Sequence, residues 1–510
     1  MNKNNSFENT KSGDLIMDIS AYQNRTLDKN LKQNLLCFKE IFKNDDIFRI
    51  REIQTSMFNN LKCALLFFDG MINTTTLNES VIKPLLLAAA KDTDDVCEYI
   101  KDSVLFANEV QSTKCVSDIL RAVLYGDSAL LIEGCDNAII INTKGWRTRG
   151  VSEPSDERVL QGPREGFDES VMLNAAMLRR KLPTPDLCIE LISKGRKTDT
   201  KMFLCYLSSV ADKGTVKEIK RKISKIDIDG ILDSNYINEQ IKSHRFSLFK
   251  TCGTTERPDI VAARLLEGRV ALIVDGTPVV LTMPYLFSES FQSDDDYYLN
   301  FWFAAIGRML RYISFFLSIS VPAIYLALCV YHPYLLPTSF VSSIAAARSG
   351  VPFPSYIECF LLIFVFEILR ETGIRMQQSM GHALSIVGGL VVGQAAVEAG
   401  IVSAPMLIVV ALSGICGLMV PRLKGVVFYS RIMLLLFSTI FGLFGYFCGI
   451  LLLLVRIFSL DSFGVDYTIS LSSLGGQSLK DTLFRAPWWK MIKRPPISHK
   501  NPTRQQRSDR

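Results

Sequence analysis

Residues 381–421 read GHALSIVGGLVVGQAAVEAGIVSAPMLIVVALSGICGLMVP, and between His382 and Pro421 they carry one charge, Glu398. That is the composition of chain in lipid, at an awkward length. The uncharged run from Ala383 to Val397 makes a helix of roughly 22 Å, short of the roughly 30 Å hydrocarbon core of a bilayer. Val402 to Val420 is long enough to cross alone. Gly389 and Gly393 form a Gly-x-x-x-Gly pair, followed by Ala395, Ala396, Ala399 and Gly400; small residues let membrane helices approach closely. Val391, Gln394, Ala395 and Glu398 share one helical face. An amide and a carboxylate on that face are costly against lipid and belong beside protein or water. The residues alone leave two readings. One is a helix packed inside an assembly and lining a polar path; the other is a packing helix whose Glu398 reaches the headgroups.

Outward from this stretch the chain is two materials. Its 510 residues, net charge of +6 and 48% hydrophobic content average a mixed-charge part, up to about residue 300, with an apolar part from about 312 to 460. The expected fold is an α/β soluble N-terminal half, built of two small α/β subdomains, followed by an all-α transmembrane bundle. Residues 1–30 are polar and expected to be disordered. Residues 31–150 form the first subdomain, 151–186 a linker and connecting helix, and 187–296 the second subdomain. Residues 297–460 form the membrane helices, and 461–510 a basic cytoplasmic tail.

Cys63–Phe68, Leu130–Ile132 and Ala138–Asn142 read as strands of the first subdomain. Leu187–Ile192, Lys201–Leu207, Val270–Val274 and Val279–Leu281 read as strands of the second, the last two about an Asp275-Gly276 turn. The two units are similar in size, without a convincing sequence repeat. Tyr312–Tyr331 reads as a span kinked at Pro322, and Ile432–Val455 as the clearest single span. No signal-peptide core opens the chain, so the soluble half is expected in the cytoplasm. The positive-inside rule puts Arg370, Arg375, Arg422, Lys424 and Arg431 at the cytoplasmic face, with roughly four to six crossings.

Chemistry is sparse. The 12 cysteines are scattered and read as reduced filler, and the 4 histidines stand far apart. No phosphate loop, nucleophile elbow or zinc helix occurs, so no catalytic residue, metal or cofactor is expected and the chain does not read as an enzyme. Glu367, Arg370 and Glu371 lie three and four apart, as an interfacial salt-bridge cluster or as a charged gate ring in an oligomer. The helix that begins after Arg164 and Glu165 and ends at Arg179, Arg180 and Lys181 has charges that suit its macrodipole.

Several runs are familiar as a set. They are Gly162-Pro-Arg-Glu-Gly-Phe-Asp-Glu-Ser170, Ile228-Asp-Gly-Ile-Leu-Asp-Ser234, Glu267-Gly-Arg-Val-Ala-Leu-Ile-Val-Asp-Gly-Thr-Pro278, Leu336-Pro-Thr-Ser339, Glu367-Ile-Leu-Arg-Glu-Thr-Gly-Ile-Arg375, Gly393-Gln-Ala-Ala-Val-Glu-Ala-Gly400 and Arg485-Ala-Pro-Trp-Trp489. The set resembles the A subunits of the GerA family of spore germination proteins, over nearly all of residues 31–495. It departs at Asp466, where the family usually has proline.

The resemblance implies a subunit of a nutrient germinant receptor in the spore inner membrane, multi-pass, with its N-terminal domain facing the core. Implied partners are a transporter-like B subunit, a lipoprotein C subunit and further copies of itself. It also implies a ligand-gated channel for monovalent cations, responding to a nutrient germinant directly or through the B subunit. On that basis Val391, Gln394 and Glu398 are candidate pore-lining residues, and Gly389 and Gly393 pack the helix. Arg164, Glu165, Arg179 and Arg180 carry the interdomain motif, and Glu367, Arg370 and Glu371 form the membrane charge cluster. The rival readings are a membrane-anchored signalling scaffold without a pore, a membrane-anchored enzyme, and a transporter acting alone.

Overall fold

The computed structural model describes residues 19–55, 60–88, 95–145, 157, 159, 161–375, 393–469, 479–495, 497 and 503–504. The N-terminal half opens with helix α1 (Leu31–Ile41), then β1 (Phe48–Gln54) and β2 (Lys62–Phe68). Helical segments over 74–87 and 96–104 lead to β3 (Val110–Thr113), helix α2 (Val116–Leu124), β4 (Ser128–Ile132) and β5 (Ala138–Ile141). These strands form an antiparallel sheet in the order β1-β2-β4-β5-β3. After helix α3 (Val171–Lys181) come β6 (Leu187–Lys194), β7 (Thr200–Leu207), helices α4 (Lys213–Ser224) and α5 (Ser234–Ile241), β8 (Gly253–Thr255), helix α6 (Pro258–Leu266), β9 (Val270–Val274) and β10 (Val280–Met283). Their order is β6-β7-β9-β10-β8, again antiparallel. The soluble half is therefore one topology used twice, a repeat the residues do not betray.

Both faces of each sheet are covered, which is why β4 and β9 are apolar and buried along their whole length. The outer face of the first sheet packs under the helical segments 74–87 and 96–104 through Leu65, Leu130 and Ile139. The outer face of the second packs under α4 and α5 through Met202, Leu204 and Leu272. The two inner faces share a single core with α3 between them: Val171, Ala175 and Leu178 join Leu66 of β2, Phe203 of β7 and Ile273 of β9. The helix read as a connector is thus the centre of the soluble half. Close approach needs Gly70, at φ +79°, where a Cβ would stand 3.2 Å from the Met172 carbonyl oxygen.

Arg179 locks this arrangement. Its side chain is fully buried, paired with Asp45, and donates to the Thr184 and Leu187 carbonyls at 2.7 and 2.9 Å. It lies 4.9 Å over the Phe68 ring. Burial pushes the Asp45 carboxyl up to about 6, against the pull of Arg179. The same loop stitches to β6 through Asp46 N–H to Ile189 O at 2.9 Å and Ile189 N–H to Asn44 O at 3.1 Å. Order also begins ahead of residue 31, contrary to the disordered reading of the first thirty residues. Leu27 is buried, and its N–H donates to Lys114 O at 3.0 Å, so 19–30 belong to the first subdomain.

The C-terminal half is helical: α7 (Phe301–Val330), α8 (Thr338–Arg348), α9 (Ser355–Arg375), α10 (Ala404–Leu418) and α11 (Lys424–Phe458). By length and composition, α7 and the segment containing α11 are apolar enough to cross a membrane. Helix α11 is not one straight rod, which corrects the single span read over Ile432–Val455. It turns at Gly442, with φ 61° and ψ −141°. A Cβ on Gly449 would stand 2.7 Å from Leu434, residues about 22 Å apart in a straight helix. Both ends return to one place: Arg422 donates to Gln292 O at 3.0 Å, and Tyr467 O accepts from Phe287 N–H at 3.0 Å. Each arm is about 25 Å long. Gly442 is required because a Cβ would meet Tyr331 at 3.0 Å, in a backbone region closed to other residues.

Removing Arg179 leaves Asp45 buried and unpaired. Arg179→Met is expected to lower stability by about 3–5 kcal/mol, and adding Asp45→Asn to recover part of the loss. Thermal unfolding of the detergent-purified chain measures both; equal unfolding of wild type and Arg179→Met rejects the assignment. Gly442→Val is expected to cost more than about 2 kcal/mol in the same measurement, because strain and crowding add.

Candidate functional site

Of the residues expected to line a pore, Val391 lies outside the described residues, as does Gly389. Residues 393–398 are helical. Gly393 is buried, its Cβ position 3.5 Å from Leu407 of α10. Gln394 and Glu398 sit one turn apart on the exposed side, joined by Gln394 Nε2 to Glu398 Oε1 at 2.9 Å. Gly393 faces α10, while Gln394, Ala395, Glu398 and Ala399 are exposed on the single protomer.

A second polar feature runs inside the bundle, and its cause is Pro322. Proline has no N–H, so the Ser318 carbonyl of α7 loses its helical partner. Two groups from other helices take its place: Ser413 Oγ of α10 donates at 2.7 Å and Arg431 Nε of α11 at 2.9 Å. Arg431 Nη2 also reaches Ser413 O at 3.2 Å, and Arg431 is fully buried. The sequence reading placed Arg431 at the cytoplasmic face; it stands instead in the centre of three helices. Gly417 leaves the room, since a Cβ there would lie 3.3 Å from Arg431 Nη2.

At the far end, Glu358 of α9 caps α10, accepting from both Ser403 N–H and Ser403 O–H at 2.6 Å. Its other oxygen is 4.0 Å from Arg348 Nε. Nothing in the sequence relates positions forty-five apart, so this contact was not anticipated. At the near end, Arg370 pairs with Glu367, and Lys424 with Glu371 at 2.9 Å. The cluster of Glu367, Arg370 and Glu371 is therefore a set of local ion pairs joining α9 to the base of α11.

The densest charge lies where the two halves meet. Arg308, fully buried near the start of α7, donates to Asp296 at 3.2 Å and to Asp481 at 3.0 Å. Arg311 reaches Asp296 at 3.0 Å, and Tyr297 O–H reaches Asp481 at 3.0 Å. Burial raises the Asp481 carboxyl, opposed by Arg308. Glu289 takes Arg264 from α6 and Arg269 from the start of β9. Arg422, at the foot of α11, sits 3.4 Å from Asp294 and 3.7 Å from Glu157. A cavity of about 600 Å³ opens beside these groups, lined by Glu157, Arg264, Asp294, Arg311 and Arg422 among others. The segment read as a loose basic tail is a strap: Asp481 neutralises Arg308, and Arg494 donates to Leu266 O at 2.6 Å.

In the interdomain motif, Glu165 pairs with Arg180 and, at 3.1 Å, with Lys181, while Arg164 is exposed. Arg179 acts elsewhere, as described above. The described residues hold no group of three or more His, Cys, Asp or Glu side chains arranged for a metal. The arrangement is suited to transmitting movement between soluble and helical halves through paired charges. Arg308→Met, which takes the cation from Asp481 and leaves Asp296 to Arg311 alone, is expected to free the strap. Limited proteolysis should then cut after Lys480 or Lys490 at least about tenfold faster than in wild type; an unchanged cutting rate rejects the strap.

A family profile described as Bacillus/Clostridium GerA spore germination protein matches residues 37–497. The chain is 39% identical over 475 residues to Spore germination protein KA of Bacillus subtilis (strain 168), covering 92% of this chain and 87% of that one. It is 35% identical over 479 residues to Spore germination protein B1 of the same organism, covering 92% and 97%. It is 34% identical over 429 residues to Spore germination protein GerLA of Bacillus cereus, covering 84% and 87%. Among solved structures, the N-terminal domain of the A subunit of the Bacillus megaterium spore germinant receptor GerK3 matches at 31% identity and a TM-score of 0.38, over 51% of this chain and 97% of that one. The chain belongs to the GerA family of spore germination proteins.

Proposed function

We propose that this chain is the A subunit of a nutrient germinant receptor in the spore inner membrane, and that several copies assemble into a ligand-gated cation channel. The observation that carries the channel is the outward polar face. Gln394 and Glu398 are exposed on the single protomer while Gly393 is pressed against α10. A carboxylate and an amide facing outward from an apolar bundle need sister subunits or water to cover them. Around an axis, Val391, three positions earlier in the sequence than Gln394, supplies the apolar constriction and Glu398 concentrates cations.

The helical half supports a multi-pass arrangement. In this reading α7, α9, α10 and the two arms of α11 supply five passes among the described residues. Arg308, Arg311, Arg370, Arg422 and Lys424 all lie on the side of the soluble half, supporting a core-facing N-terminal domain. A transporter-like B subunit and a lipoprotein C subunit complete the receptor. Nutrient binding, at the B subunit or here, shifts the closed assembly by way of the junction charges.

Val391→Ala is expected to loosen closure, so that spores carrying it germinate without nutrient. Normal dormancy at wild-type protein level removes the gate assignment. Cation flux from purified protein in liposomes, with and without partner subunits, separates a channel from a scaffold. Flux abolished by Glu398→Gln supports the first, and no flux under any combination leaves the scaffold.

A further inference from the structure

The loop joining α5 to β8 does not belong to any function described so far. It reads Lys242-Ser-His-Arg-Phe-Ser-Leu-Phe-Lys250. Phe246 is 99% exposed and Leu248 51% exposed, while Phe249 between them and Lys250 is buried. Among the described residues no carboxylate pairs with Lys242, Arg245 or Lys250. Two large apolar side chains held in water among unpaired cations are costly for a soluble surface and suit a lipid headgroup layer.

Three contacts hold the loop at the foot of the helical half. His244 Nε2 lies 2.9 Å from Asp461 Oδ1, three residues past the last residue of α11. Ser462 Oγ donates to Thr251 O at 2.7 Å. Phe249 packs against Phe287 and Tyr467, with ring centroids 6.3 and 6.2 Å apart, in the cluster that contains Ile457 of α11. The loop therefore stands where α11 leaves the apolar layer, beside Phe458, itself 60% exposed. Exposed Trp302, Phe303 and Trp489 fringe the same base, as aromatic residues do at the interface of a bilayer.

We propose that Lys242–Lys250 docks the second subdomain onto an anionic phospholipid surface, Phe246 and Leu248 entering the headgroup boundary and Lys242, Arg245 and Lys250 facing lipid phosphates. The proposal rests on the membrane-crossing reading of the helical half. It makes the soluble half a body tethered to the bilayer at a point separate from its helices. Charge state or composition of the lipid then bears on the junction through the second sheet.

The full chain in lipid nanodiscs tests this, with a photoreactive benzophenone side chain in place of Phe246, Phe447 or Leu36. Phe447 lies exposed on the second arm of α11, and Leu36 lies exposed on α1 of the first subdomain. Position 246 is expected to form lipid adducts, at least about threefold more in phosphatidylglycerol discs than in phosphatidylcholine discs. Lys242→Gln, Arg245→Gln and Lys250→Gln together should erase that difference, and position 36 should give no lipid adduct. Adducts at 246 to a second copy or to another subunit overturn the proposal, as does a lipid yield no higher than at position 36. Lipid adducts at 447 without any at 246 defeat this inference alone; none at either position defeats the membrane reading with it.

Discussion

A guanidinium shut away from water must find acceptors for its N–H groups, and they rarely come from one segment. The four largest fully buried side chains here are Arg179, Arg257, Arg308 and Arg431. Each stands at a seam. Arg179 gathers Asp45 of the first subdomain and two carbonyls ahead of the second. Arg257 gathers the Glu157 and Pro163 carbonyls and Asp259, binding the linker to α6. Arg308 joins the foot of α7 to the C-terminal strap, and Arg431 joins three helices. Burying a charge costs several kcal/mol unless its partners are in place, so each seam is an all-or-nothing contact. The apolar cores between seams supply most of the stability, and the arginines fix how the pieces sit.

The seams differ in how completely their charge is met, and that difference suits signalling. Arg179 and Arg308 meet carboxylates. Among the described residues Arg431 hydrogen-bonds two carbonyls, one of them freed by Pro322. The Ser318 carbonyl belongs to α7, whose foot carries Arg308 and Arg311. Asp296 is paired with Arg308 and Arg311 at the foot of α7, and the same helix carries the Ser318 carbonyl to the node in the bundle. The cavity of about 600 Å³ beside Arg422 gives that connection room to change.

The candidate site was partly legible in the chain. Spacing by helical turns put Gln394 and Glu398 on one face, and in the fold they stand one turn apart, joined by a hydrogen bond. Local ion pairs such as Arg370 with Glu367 follow from positions three apart. Other features were not legible because their partners lie far away in sequence. Arg179 reads as the basic end of a helix, yet its partner is Asp45. Glu358 stands alone in an apolar run, and its partner is Ser403, the N-cap of α10, forty-five residues later. A single span read from hydropathy over Ile432–Val455 missed a hairpin, because apolarity records burial and not direction; the chain reverses at one glycine, at φ 61°.

What the sequence determined by itself was composition-deep: a mixed-charge α/β half, an apolar helical half, the strands about Asp275-Gly276, and membership of a family through runs of matching residues. Those follow from local chemistry, which short windows contain. The tertiary structure alone decided that the two subdomains are one topology repeated, that α3 is their common core, and that the tail is a strap on Arg308. Strand order and burial depend on which distant side chains can share one desolvated space. No window of sequence holds both halves of such a contact.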